Sequence, residues 1–263
     1  MEIQWYHYIL MLSAGVLAGI VNTLAGSGSV FTLSVFIFLG LPANMANGTN
    51  RVGVTIQSLI STYTFYKGGK LNIAESKKFL IPTFLGALIG AMVAVDMDEE
   101  LLRLVIGWIM VVLLVITIFK PQKKLLQENS KSRRGMVLNF LVFLAIGFYG
   151  GFIQAGIGIF LLVALHLAAD FNLVQANGAK LLAVMLFSFP VLFIFLYNGQ
   201  VEWVYGLWVA VGQAIGSYGA SKFAVKSTNA NTWVRKILIA MILLSIFKMF
   251  GWLDWITEKI MLL

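Results

Sequence analysis

Cysteine is absent from the 263 residues, and histidine occurs only twice. That removes disulfides, thiolate nucleophiles, cysteine zinc sites and iron–sulfur clusters, and leaves too little imidazole for a His-rich catalytic metal site. Charge is scarce as well: 11% of residues are Asp, Glu, Lys or Arg, against 60% that are hydrophobic. A soluble domain carries about 25% charged residues, so these side chains cannot cover a 29.0 kDa globule in water. A soluble enzyme and a disordered chain are both excluded. The 11 acidic residues avoid the interiors of the apolar runs; neither a mid-membrane carboxylate proton relay nor a carboxylate cation site is expected. No P-loop is found, and no nucleophile, base and metal-ligand set is assembled. The chain is therefore expected to be neither an enzyme nor the holder of a cofactor.

What is present is apolar sequence, with a mean hydropathy of +0.90. The net charge of +8 could suit nucleic acid, but the basic residues lie between long apolar runs, where charge orients a multi-pass membrane protein. A helix needs roughly 20 apolar residues to cross the bilayer. Runs of suitable length cover 5–25, 48–66, 79–95, 101–119, 136–155, 176–197, 203–220 and 234–252. Two shorter ones, 30–41 and 159–169, each follow a Gly-rich break. The expected fold is all-α and polytopic, with short broken or re-entrant helices. Residues 1–8 lack Lys and Arg, so the first run does not read as a signal peptide and is expected to be retained.

The chain repeats itself. A shift of 130 residues places Gly26 on Gly156, Gly28 on Gly158, Asn47-Gly48 on Asn177-Gly178, Gly69 on Gly199 and Gly86 on Gly216. This divides the chain into a first membrane repeat at 1–119, a basic linker at 120–135 and a second repeat at 136–263, each repeat with about five helical segments. Lys120, Lys123, Lys124, Lys131, Arg133 and Arg134 face only Glu128 in the linker, which places it in the cytoplasm by the positive-inside rule. The Lys67, Lys70, Lys77 and Lys78 loop then also lies inside, whereas its counterpart at 198–202 has no basic residue and lies outside. The acidic loop of Asp96, Asp98, Glu99 and Glu100 lies outside, opposite the loop of Lys222, Lys226, Arg235 and Lys236. Equivalent loops face opposite sides, so the repeats are expected to be inverted, in the cell (inner) membrane, with both chain ends outside. Inverted repeats characterise secondary transporters, whose sites lie where broken helices of the two halves meet.

The breaks are the first candidate site. Asn22, Thr23, Gly26, Ser27, Gly28 and Ser29 form one; Gln154, Gly156 and Gly158 form the other. Non-helical backbone in a membrane must be buried in protein or line a wet cavity, and the helix start after a break can hold an anion. Gly15, Gly19, Gly147 and Gly151 are better read as close-packing positions. The second candidate is the start of the next helix, with Asn47, Thr49 and Arg51 in one copy and Asn177 and Lys180 in the other. Asn47 and Asn177 look like helix caps. Lys180 lies about eight residues, roughly 12 Å, into its helix with no carboxylate nearby in sequence. An intramembrane cation is a functional-site hypothesis by default. His166 is read as structural, Lys248 as snorkelling, and Trp5, Tyr6, Trp203, Trp233, Trp252 and Trp255 as interfacial.

These residues carry a family resemblance. Gly15, Gly19, Gly26, Gly28, Leu41-Pro42 and Ala46-Asn47-Gly48-Thr49, followed by Gly147, Gly151, Gly156, Gly158 and Ala176-Asn177-Gly178-Ala179, resemble the pattern of the sulfite exporter TauE/SafE family, the toluene sulfonate uptake permease group. Ser29 and Ile159 depart from it, standing where a third Gly is common, and Ala179-Lys180 replaces its usual Thr-Ser. The resemblance implies movement of sulfite, sulfonates or related organosulfur anions, often outward. The expected function is a secondary transporter for such small anions, working by alternating access between the repeats. The alternatives are an anion channel and a non-transporting membrane scaffold or assembly factor. The expected partners are the small anion and the lipid bilayer, with proton or sodium open as a coupling ion and no nucleic acid.

Overall fold

Glycine, proline and short polar links end the apolar runs, and the helices start and stop at them. A computed structural model describes residues 4–119, 135–169 and 171–226; among them every predicted run is helical and no strand occurs. The helices are α1 (Trp5–Leu24), α2 (Ser29–Phe38), α3 (Ala43–Lys67), α4 (Ile73–Val95), α5 (Glu99–Phe119), α6 (Met136–Phe152), α7 (Ile157–Ala169), α8 (Leu173–Tyr197) and α9 (Trp203–Lys226). The predicted run at 234–252 lies outside the described residues, as do Trp233, Arg235, Lys236, Lys248, Trp252 and Trp255 and nearly all of the 120–135 linker. By length and composition α1, α4 and α8 suffice to cross a membrane, while α2, α6 and α7 are shorter apolar helices. Large apolar side chains such as Ile81, Trp108 and Phe193 point outward and are more than half exposed. A surface of this kind suits lipid, not water.

Two helix starts differ from the sequence reading. Helix α3 begins at Ala43 after Pro42, and α8 begins at Leu173 after Asn172. Asn47 and Asn177 are thus one turn inside their helices and do not cap the starts of them. The true cap of α8 is Asn172, whose side-chain oxygen accepts from the N–H groups of Val174 and Gln175. On α3 the Glu99 carboxylate accepts from the N–H groups of Ala43 and Asn44, a charge-favoured arrangement at a helix N-terminus.

Helix α1 lies along α9, and α4 lies along α6. Both interfaces are glycine contacts of backbone on backbone. A Cβ on Gly19 would stand 2.5 Å from the Gln213 carbonyl oxygen, and one on Gly216 would stand 2.1 Å from that of Val16. In the other pair, a Cβ on Gly151 would stand 1.8 Å from the Ala87 oxygen and one on Gly90 2.0 Å from that of Phe148. Gly15, Gly19, Gly147 and Gly151 are therefore packing positions, as small residues are in membrane helix pairs. Helices α3 and α8 pack on each other and lean on α9 and α4 respectively. Exchanging α1 for α6, α3 for α8 and α9 for α4 turns one set of contacts into the other. The left-handed turns follow the same 130-residue shift: Gly26 (φ 85°) with Gly156 (φ 74°), and Gly69 (φ 64°) with Gly199 (φ 67°).

Candidate functional site

The two breaks meet at the centre of this arrangement. After α1 the N–H groups of Ala25 and Gly26 both return to the Val21 oxygen, and the left-handed Gly26 turns the chain into α2. After α6 the N–H groups of Ile153 and Gln154 return to the Tyr149 oxygen, and the Tyr149 hydroxyl donates to the Ala155 oxygen. Gln154 itself adopts φ 69°, a conformation that costs a non-glycine residue free energy and marks sites worth explaining. The Gly158 N–H donates to the Gly26 oxygen at 3.1 Å. A Cβ on either glycine would lie 2.3 Å from the other's Cα. Nothing larger than hydrogen fits between these two backbones.

Each break leaves helix-end carbonyls without intrahelical partners, and the buried cations answer them reciprocally. Arg51 of α3 donates from Nη1 to the Gly150 oxygen at 2.7 Å and from Nη2 to the Gly151 oxygen at 2.8 Å. Asn47 takes the next carbonyl, that of Phe152, at 2.7 Å, and its own oxygen accepts from Arg51 Nη2. The guanidinium lies over the Phe195 ring, 5.1 Å from its centroid. Lys180 of α8 does the same for α1, donating from Nζ to the Asn22 oxygen at 3.0 Å and the Thr23 oxygen at 3.2 Å. A cation at a helix C-terminus is favoured by the macrodipole. Both side chains are fully buried, and neither has an acidic partner among the described residues.

Lys180 also lines a cavity. Asn22, Gly26, Ser29, Gln57, Gln154, Gly158 and Lys180, with Val54, Ile157, Leu181 and Val184, line a space of about 20 Å³ for the centre of a water molecule, enough for one or two waters. Asn22 organises one wall: its amide donates to Gln57 Oε1 at 3.0 Å and its oxygen accepts from the Ser29 N–H at 3.2 Å. The remaining helix-start donors are also engaged, with the Val30 N–H on Ser27, the Phe31 N–H on Gly28, the Ile157 N–H on Gln154 and the Ile159 N–H on Gly156. What stays open toward the cavity is side-chain chemistry. Lys180 carries three donors and uses two, and the buried Gln154 amide has neither its nitrogen nor its oxygen paired.

The structure thus brings Asn22, Gly26, Ser29, Gln154, Gly158 and Lys180 to one cavity. The other predicted residues lie beside it or away from it. Thr23 pairs its hydroxyl with Ser61 at 3.0 Å. Ser27 is buried with an unpaired hydroxyl, and Gly28 packs against the Ala18 oxygen. Thr49 accepts from the Glu202 N–H, Gly156 faces Leu113, and the Asn177 oxygen is unpaired. Asn47 and Arg51 are engaged at the end of α6. Sequence reasoning missed Gln57. Its signal was available, as an amide six residues beyond Arg51 in a segment that also carries Thr55, Ser58, Ser61 and Thr62. His166 is structural, its Nδ1 lying 2.7 Å from the Phe171 oxygen.

Arg51→Ala is expected to lower stability by about 3 kcal/mol or more, because it strips charged donors from two buried carbonyls at once. Arg51→Lys restores only part, since one ammonium lacks the planar fork that reaches Gly150, Gly151 and Asn47 together. Thermal unfolding in detergent reads both. An Arg51→Ala protein as stable as the parent would show that the α6 end finds other donors.

The family model described as sulfite exporter TauE/SafE matches residues 11–249. A probable membrane transporter protein of Haemophilus influenzae is 25% identical over 247 residues, covering 92% of this chain and 95% of the relative. The probable membrane transporter protein ORF9 of a Sinorhizobium species is 24% identical over 85% of each chain. The probable membrane transporter protein YfcA of Escherichia coli K12 is 24% identical, over 82% of this chain and 80% of its own. No solved structure matches the chain.

Proposed function

The chain belongs to the sulfite exporter TauE/SafE family, a family of membrane transporters, and from that premise we propose that it is a secondary carrier exporting small sulfur oxyanions, sulfite or organosulfonates, through the cavity between the two breaks. The observation that carries this reading is the pairing of a buried ammonium, Lys180, with an unpartnered amide, Gln154, across one polar space. An ammonium without a carboxylate partner among the described residues leaves a positive charge for a ligand to neutralise. An amide with both ends open can donate to an oxyanion while its own oxygen takes a water. Asn22, Ser29 and Gln57 complete the polar wall. Arg51 and Asn47 act at one remove, by fixing the end of α6 and hence the turn that aims Gln154.

The cavity holds water-sized occupants, so an oxyanion requires the two halves to part. That supports a carrier that alternates over a standing pore. The reciprocal capping, the glycine pairs and the shared left-handed turns support two inverted repeats, with the linker at 120–135 in the cytoplasm of a cell-membrane protein and both ends outside. Purified protein in liposomes loaded with sulfite tests the reading. Saturable uptake of labelled sulfite, accelerated by unlabelled sulfite or taurine on the far side, is the expected result. Ohmic flux without counterflow would make it a channel, and no flux of any sulfur oxyanion would make it a scaffold.

A further inference from the structure

The 130-residue correspondence relates the backbones of the two halves but not their chemistry. From the cavity toward the turn at Gly68–Lys70, the junction of α1, α3 and α9 is polar. Gln57 and Ser61 on α3, Thr23 on α1, and Ser217 and Ser221 on α9 are almost wholly buried there, with Thr62 beside them. Hydrogen bonds join the inner members, Asn22 to Gln57 and Thr23 to Ser61. Helices α3 and α9 run parallel, with Gly53 against Gln213 and Gly68 against Val225, so Ser217 and Ser221 lie on the stretch between the cavity and that turn.

The positions shifted by 130 read differently. Gln57 becomes Phe187, Ser61 becomes Val191, Thr23 becomes Ile153, and Ser217 and Ser221 become Ala87 and Ala91. All five are buried; nearer the turns the two sides are alike, with Phe195 matched by the equally buried Phe65. The hydroxyls found among the described residues of this side include Thr83, the counterpart of Gln213, which donates to the Phe79 oxygen, and Ser188, the counterpart of Ser58, which is unpaired. The polar side also holds more polarity than its packing satisfies. Thr62 Oγ1, Ser221 Oγ and both amide atoms of Gln213 have no partner. Each such group costs about 1–3 kcal/mol when sealed in protein, and within a bilayer protein they are tolerated where water reaches them. The mouth on this side carries Lys67 and Lys70, both exposed, whereas the opposite mouth carries Asp96.

We propose that the buried hydroxyl row of Thr23, Ser61, Thr62, Ser217 and Ser221 is the wettable half of the anion's path, open to the basic face, and that Phe187 and Val191 are the dry gate on the other half. This rests on the carrier reading for the identity of the anion, but not for the existence of the path. Neutral hydroxyls donate to a passing oxyanion without holding it as a cation would, which suits passage rather than binding. An apolar constriction closes by excluding water, with no need of a charged latch.

The absence of cysteine makes the test direct. Single-cysteine variants Ser61→Cys and Ser221→Cys on one side, and Val191→Cys and Ala91→Cys on the other, are exposed in liposomes to a membrane-impermeant anionic methanethiosulfonate. Lys70→Cys and Asn198→Cys, both at exposed turn positions, report which face the reagent reaches. The hydroxyl-row pair is expected to react from the face that labels Lys70→Cys. Its rate should exceed that of the apolar pair by roughly tenfold or more, the margin that an opening step of about 1.4 kcal/mol imposes. Equal rates in the two pairs, the reverse order, or an inert hydroxyl row beside a reactive Lys70→Cys would each overturn the proposal. Two positions per side keep the comparison if one variant unfolds. Sulfite is expected to slow labelling of Ser61→Cys. The expected pattern without sulfite protection would leave the path standing and remove sulfite as its cargo.

Discussion

Lys180→Gln is expected to weaken sulfite binding by roughly tenfold to a hundredfold and to reduce counterflow to near background. The range follows from removing one charge-assisted hydrogen bond, worth about 1.5–3 kcal/mol. The same substitution also weakens the end of α1, because Lys180 holds the Asn22 and Thr23 carbonyls. A fall in melting temperature is therefore expected alongside, and it has to be separated from the loss of affinity. Arg51→Gln supplies the comparison. It removes the equivalent brace at the end of α6 without taking a charge from the cavity lined by Lys180, so it is expected to cost stability and to lower the affinity of the folded fraction much less than Lys180→Gln does, through the turn that aims Gln154. Sulfite binding to folded protein by calorimetry and counterflow in liposomes read the two effects separately. Unchanged affinity in Lys180→Gln would remove the ammonium from the site and leave it a purely structural brace.

The fold was legible wherever one physical signal dominated. The apolar runs and their Gly and Pro ends gave each helix among the described residues, and the two short runs emerged as α2 and α7 because a 10- or 13-residue helix after a Gly-rich break has no other natural reading. Helix starts were less legible. Asn47 and Asn177 carry the residue type of a cap, but Pro42 and Asn172 begin the helices one turn earlier, and the cap of α3 comes from Glu99, 55 residues beyond Asn44. A cap donated from that distance leaves no local trace.

The site was legible in part for the same reason. Lys180 and the breaks stood out because a buried cation and a run of small residues are costly in an apolar helix. The separation of roles between Lys180 and Arg51 could not be read, because both answer the same need at helix C-termini. What distinguishes them is which broken helix each reaches and what lies beyond it. The helix starts illustrate a further limit of sequence reading. A Gly-rich break advertises free N–H groups, but here Asn22, Ser27, Gly28, Gln154 and Gly156 accept from those of the first turns. The chemistry left for a ligand lies in side chains. Gln57 and the hydroxyls of α9 were passed over because an uncharged polar residue disturbs hydropathy too little to stand out singly; only their shared face, and the apolar face 130 residues away, gives them meaning.

Gly158→Ala is expected to unfold the protein or abolish transport outright. The added methyl carbon would stand 2.3 Å from Gly26 Cα and 3.0 Å from its carbonyl carbon, so backbone has to move against backbone. Overpacking relieved by flexible side chains costs about 1–3 kcal/mol; here no side chain is available to yield, and the cost is expected to exceed that range. The Gly158 N–H bond to Gly26 and two walls of the cavity go with it. Gly26→Ala meets the same contact from the other side and adds roughly 1–2 kcal/mol for a left-handed alanine. The two substitutions are therefore expected to be far from additive, since the first already parts the breaks. Gly69→Ala and Gly199→Ala isolate the conformational cost: both are left-handed turn positions with open space where the methyl would go. They are expected to lower the melting temperature slightly and to leave counterflow intact. Should Gly158→Ala melt and transport like the parent, the two breaks are not pressed together in the working protein, and a site built on their contact cannot stand.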